Sequence, residues 1–130
     1  MNHNLENLEV LWETYDFHTG QIVTFESIIE EDLSHLRLFL KEDLNPTQKQ
    51  KAETRDVISH DCNQCLMSYK KQIHVIEELI ETYQHFSDNG VSVPEKREIK
   101  VSYLEELRDT TTELMEGISD CKAQVEEMLH

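Results

Sequence analysis

Residues 60–65 read HDCNQC, a histidine followed by two cysteines in Cys-x-x-Cys spacing. Two chemistries use such a pattern: metal ligation and thiol–disulfide exchange. A structural zinc site takes four ligands, supplied as two paired motifs, and the third and last cysteine, Cys121, stands alone. A redox Cys-x-x-Cys follows a strand and opens a helix, where the dipole lowers the thiol pKa. Here the motif falls inside a long helical pattern. Stepping back from Leu66 by four and three reaches Cys62 and Ser59, and Cys65 adjoins Leu66. Both thiols therefore fall on an apolar stripe, where cysteine acts as a small hydrophobe. The spacing predicts core packing for Cys62 and Cys65, with Gln64 on the opposite face.

The seven histidines admit one further test. Di-iron helical bundles repeat Glu-x-x-His on two helices, with more glutamates facing inward. Asp32-x-x-His35 has the spacing with the wrong acid. His74-x-x-Glu77 and Glu81-x-x-x-His85 do not form a repeated pair. His18, His35 and His60 flank the apolar stripe and read as surface or boundary residues. No Gly-x-Ser-x-Gly and no phosphate-cradling glycine loop occurs. Acid pairs such as Glu105-Glu106 and Glu126-Glu127 read as a solvated face. No catalytic residue, cofactor or metal ligand is assigned, and an enzyme is the last of the functions considered.

The elements that would carry these residues are long helices. Three Gly and two Pro in 130 residues are too few for a turn-rich fold. Strong punctuation occurs twice. At Leu44-Asn45-Pro46-Thr47, proline disfavours helix in the residue before it and favours the first helical position. Asn45 with Gln48 three residues on predicts a capping box there. At Asn89-Gly90 the chain signals a stop, and Ser92-x-x-Glu95 around Pro94 signals a restart. Between these marks apolar residues repeat every seven. The first segment carries Leu5, Leu8, Trp12, Tyr15, Ile22, Ile29, Leu33, Leu36 and Leu40, with polar gaps at Thr19 and Glu26. The second carries Leu66, Tyr69, Ile73, Ile76, Ile80 and Tyr83. The third carries Leu104, Leu107, Leu114, Ile118, Cys121, Val125 and Met128, with a gap at Thr111. Heptads with a widened stripe and short connections predict an all-α fold, an elongated antiparallel three-helix bundle with coiled-coil-like packing. The helices are expected near 2–43, 46–87 and 93–129, as one domain over 1–130, with Gly20 a candidate kink. The rod would be on the order of 60 Å long.

Charge narrows the partners. The formal net charge is −15, from 27 acids and 12 bases. Residues 1–44 hold 10 acids and 2 bases, a net of −8; residues 91–130 hold 10 and 5, a net of −5. This excludes a basic nucleic-acid footprint and disfavours anionic membranes. No apolar run is long enough to span a bilayer, and MNHNLENLEVLWE lacks the basic and apolar regions of a secretory signal. Three cysteines imply no disulfide framework, so a cytoplasmic or other reducing compartment is expected. The reading that results is a non-enzymatic protein–protein interaction module, an adaptor or subunit using helix-on-helix recognition. Its partner would present a basic or amphipathic helical surface, and a homodimer is compatible with the same turns. Glu6, Glu9, Glu13, Glu30 and Glu31 are the candidate rim, and Phe17 is the candidate apolar anchor. A small acidic chaperone for an exported or aggregation-prone client is the alternative. An acidic inhibitor mimicking nucleic acid ranks below it.

Overall fold

The computed structural model describes residues 3–41 and 46–130 and consists of three helices, α1 (Leu5–Lys41), α2 (Gln48–Asp88) and α3 (Val101–Met128). At 1.5 Å per residue, the 41 residues of α2 extend about 60 Å. α2 packs against both α1 and α3 in an elongated up-down-up bundle, so α1 and α3 run parallel to each other.

The helix ends follow from local chemistry. Asn4 caps α1, its Oδ1 accepting the Asn7 N–H at 2.7 Å. α2 opens two residues later than the sequence predicts. Its N-cap is Thr47, whose hydroxyl accepts from Gln50 N at 3.1 Å while Gln50 Oε1 accepts from Thr47 N at 2.9 Å. Thr47-x-x-Gln50 is itself a capping box and outcompetes the pairing predicted for Asn45 and Gln48. Pro46 then precedes the cap rather than following it, and Asn45 lies outside the described residues. α2 stops as predicted at Asn89-Gly90. Gly90 takes a φ of 65°, and Val91 N donates to Phe86 O at 2.9 Å. The left-handed residue and the bond reaching back five residues form a Schellman-type stop.

The start of α3 is a correction. The restart signal around Pro94 produces only a 3-10 turn, Glu95–Arg97, and α3 begins at Val101. The tertiary pull on this connector outweighs the local helix signal. Arg97 O accepts the Tyr83 hydroxyl, and the Arg97 guanidinium makes two 2.9 Å bonds to the Glu9 carboxylate. Val93 and Ile99 meanwhile pack on the end of α2. Gly20 brings no break, because α1 is continuous through it.

The core forms two apolar clusters along the rod. One contains Leu8, Ile76, Leu79, Tyr83, Phe86 and Leu104; the other contains Ile29, Leu36, Ile58, Cys62, Cys65 and Val125. Two of the three polar gaps in the heptads, Thr19 and Glu26, are filled from across the bundle, and the third is satisfied within its own helix. Gln72, 3% exposed, donates from Nε2 to Thr19 Oγ1 at 2.8 Å. Glu26 bonds the Tyr69 hydroxyl, which burial and this carboxylate together hold protonated far above the usual range. Buried Thr111 returns its hydroxyl to Leu107 O at 2.7 Å.

Gln72 Oε1 is buried with no partner among the described residues. A buried unsatisfied acceptor costs roughly 1–3 kcal/mol. Thr19 also bonds Tyr15 O at 2.9 Å, so it keeps a partner if the amide is removed. The near-isosteric change Gln72→Met is therefore expected to stabilise the fold by about 1 kcal/mol, measured as a higher urea midpoint at unchanged slope. A lower midpoint would show that the amide bond outweighs its orphaned oxygen.

Candidate functional site

Cys62 and Cys65 are fully buried and free, packed in the core cluster with Ile58 and Tyr69, and Cys121 lies against the same cluster. Burial pushes the Cys62 thiol up to about 12 and the Cys65 thiol up to about 11. Both stay protonated at neutral pH, the opposite of what a thiol nucleophile requires. Gln64, predicted opposite the core, is half-buried while Asn63 is exposed. α2 is packed on two sides, so its covered arc is wider than one heptad stripe.

The histidines are dispersed. His35 and His60 are exposed, His74 Nε2 lies 2.9 Å from Glu78 Oε1, and His3 stacks on His85 with ring centroids 4.8 Å apart. His18 is half-buried, and desolvation followed by the nearby Lys71 lowers its pKa. Among the described residues no three His, Cys, Asp or Glu side chains converge to hold a metal ion.

One carboxyl pair is unusual. Asp32 of α1 hydrogen-bonds Asp61 of α2 across their interface, and its Oδ2 is buried without a partner among the described residues. Desolvation, then the bond to Asp61 and the charges of Asp61 and Glu31, raise the Asp32 carboxyl to about 7. Two carboxylates in contact repel when both are ionised, which favours a proton on Asp32 as pH falls through about 7.

The six residues predicted to meet a partner divide into three sets. Glu6, Glu13 and Phe17 lie exposed along the outer face of the first half of α1. Phe17 is 62% exposed and borders a shallow cavity of about 420 Å³, lined also by Asp16, Gly20, Gln21, Thr24 and Phe25. A Cβ on Gly20 would meet nothing within 4 Å, so the glycine leaves the hollow open. Glu30 and Glu31 are exposed as well but sit about 20 Å farther along the helix. Glu9 differs, because its carboxylate is already held by Arg97, whose hydrogen bonds lower its pKa. The Arg97 guanidinium also lies 5.7 Å from the Trp12 ring centroid, and Trp12 Nε1 donates to Tyr83 at 3.0 Å. Glu9 is thus part of a clasp joining α1 to the connector before α3, a role that requires the fold to be known.

Sequence reasoning missed other surface residues. Val10 and Leu38 are exposed in the same seven-residue column as Phe17, a regularity present in the spacing but hidden beneath the stronger core stripe. Leu40, Leu114 and Met128, predicted to pack inside, are 48%, 53% and 56% exposed. They border the gap between α1 and α3, whose α-carbons stay more than 8 Å apart. No protein-family model matches the chain, and neither a curated protein nor a solved structure shows significant similarity to it.

Two outcomes follow from the buried groups. The folded Asp32 carboxyl titrates above its unfolded counterpart, so its stabilising contribution is complete below about pH 4 and is lost as pH rises through about 7. Asp32→Asn should abolish that loss, so that denaturation midpoints of mutant and wild type diverge most at pH 8. Midpoints that stay parallel from pH 4 to pH 8 would show that the pair is not proton-linked. In native buffer a thiol reagent should modify Cys121 first, with Cys62 and Cys65 reacting only at the rate of unfolding. Rapid reaction of all three would contradict the buried placement.

Proposed function

We propose that the chain is a non-enzymatic interaction module, an acidic helical bundle that serves as adaptor or subunit of a larger assembly through helix-on-helix recognition. The observation that carries this reading is the exposed α1 column of Val10 and Phe17. These apolar side chains recur at the seven-residue step yet contribute nothing to the core. A large aromatic beside an open hollow is the kind of side chain that anchors an interface. Glu6 and Glu13 border the column, which favours a basic partner and faster encounter with it. The high thiol pKa values and the dispersal of the histidines give chemistry no comparable foothold. A chain of net charge −15 also makes nucleic acid and anionic membrane poor partners. No described helix is long and apolar enough to cross a membrane.

The test is native mass spectrometry of the tagged chain captured gently from its own cells, beside the Phe17→Ser variant. A stoichiometric protein partner is expected with the wild type. Affinity for that partner should fall at least ~10-fold in the variant, with the thermal midpoint unchanged. Equal retention by both forms would remove Phe17 from the interface. A partner released during a folding cycle, instead of remaining bound, would favour a chaperone.

A further inference from the structure

The seam between α1 and α3 differs from the other two helix interfaces. Both helices pack on α2, yet their own α-carbons never come within 8 Å of one another. They still run in one register. Glu9 meets Arg97, a separation of 88 residues, at one end. The same offset relates Leu33 to Cys121 and Leu40 to Met128 at the other end, where these four side chains line one groove of about 220 Å³.

The heptad positions order what faces this seam. From α3 comes the column Leu107, Leu114, Cys121 and Met128. Leu114 and Met128 are 53% and 56% exposed, and Leu40 opposite is 48% exposed. The next column outward on α3 is Tyr103, Thr110, Gly117 and Gln124, all exposed and all uncharged in a chain of net charge −15. A Cβ at Gly117 would meet nothing within 4 Å, so another backbone can approach there. Beyond that column stand Glu106, Glu113, Asp120 and Glu127, exposed at every seventh residue over about 30 Å. Across the seam, α1 contributes the exposed column Asp16, Val23, Glu30 and Arg37, of mixed charge, with Arg37 lining the groove beside Leu40. The pattern is an apolar floor, an uncharged shoulder and one continuous acidic margin, on α3.

We propose that this seam receives a basic amphipathic helix of a partner protein, which completes a four-helix bundle. The inference rests on the reading of the chain as an interaction module and names a docking face separate from Phe17. A fourth helix lying between α1 and α3 would cover Leu40, Leu114 and Met128 with its own heptad apolar residues. Lys or Arg on the α3 side of that stripe would meet Glu113 and Asp120, while Arg37 on the α1 side favours an acidic or neutral residue opposite it. A second copy of the chain fits poorly, because its net charge of −15 would meet the acidic α3 margin.

The test uses a labelled synthetic helix of about four heptads with Leu at the core positions and Lys at the flanking ones, and a second version with Glu in place of Lys. Fluorescence anisotropy at physiological salt reads binding to the full chain. The Lys peptide is expected to bind and the Glu peptide not to. The double variant Glu113→Lys/Asp120→Lys should weaken binding at least ~10-fold. Glu77→Lys/Glu81→Lys, an equal charge change on the outer face of α2, should weaken it less than ~3-fold. Leu114→Gln/Met128→Gln, which changes no charge, should also cost at least ~10-fold. Equal losses in the two charge variants would mean diffuse attraction, and failure of the Lys peptide to bind would leave the seam without its occupant; either overturns the proposal. So would a homodimer that the Lys peptide dissociates. Phe17→Ser should bind the peptide as the wild type does, so failure at the seam and failure of the Phe17 reading remain distinguishable.

Discussion

α2 must be covered on two sides, and the rest of the structure follows from that requirement. Among the described residues, 13 buried positions lie on α2 against 4 on α1 and 3 on α3. A helix with so wide an apolar arc cannot be satisfied by one neighbour. Its two flanking helices then settle against it rather than against each other. This explains why sulfur-bearing and polar residues of α2, Cys62, Cys65, Ser68 and Gln72, are all enclosed. It also explains why α1 and α3 each keep large apolar side chains in water.

The clasp at the connector fixes how the pieces are aligned. The Arg97 guanidinium binds Glu9 with both carboxylate oxygens and lies over Trp12, while its carbonyl holds Tyr83. One residue thereby ties α1, α2 and the approach to α3. A bidentate guanidinium–carboxylate pair has directional preference, so it constrains rotation as well as distance. The Gln72–Thr19 bond adds a second positional constraint deeper in the bundle. A polar pair with one buried member, here Gln72, can favour one register among several that apolar residues alone would allow.

Much of the fold was legible in the residues, because helices of this length write their buried face at a fixed period. The three-helix order, the stop at Asn89-Gly90 and the enclosure of both cysteines of HDCNQC all came from spacing. What was not legible had a tertiary cause. Pro94 and Glu95 carry a helix signal that the Arg97 contacts and the burial of Val93 and Ile99 override. Two capping boxes overlap around Pro46, and spacing alone does not rank them. Leu114 and Met128 satisfy the heptad as fully as Leu104 does, and only the distance between α1 and α3 separates the exposed from the buried. For the candidate surface, Phe17 was visible as an aromatic off the main stripe. The engagement of Glu9 was not, since its partner lies 88 residues away.

The up-down-up path has a mechanical consequence. The start of α1 and the end of α3 lie at opposite ends of a rod about 60 Å long. Tension applied between those two points runs along the helix axes. It loads the α1–α2 and α2–α3 interfaces in shear, so side chains along each interface resist together instead of peeling apart one by one. The clasp at Arg97 sits where α1 begins, beside the connector, and holds the two parallel helices in step under such a load. Under such a load the two interfaces act in series, and the weaker of them sets the resistance of the whole rod.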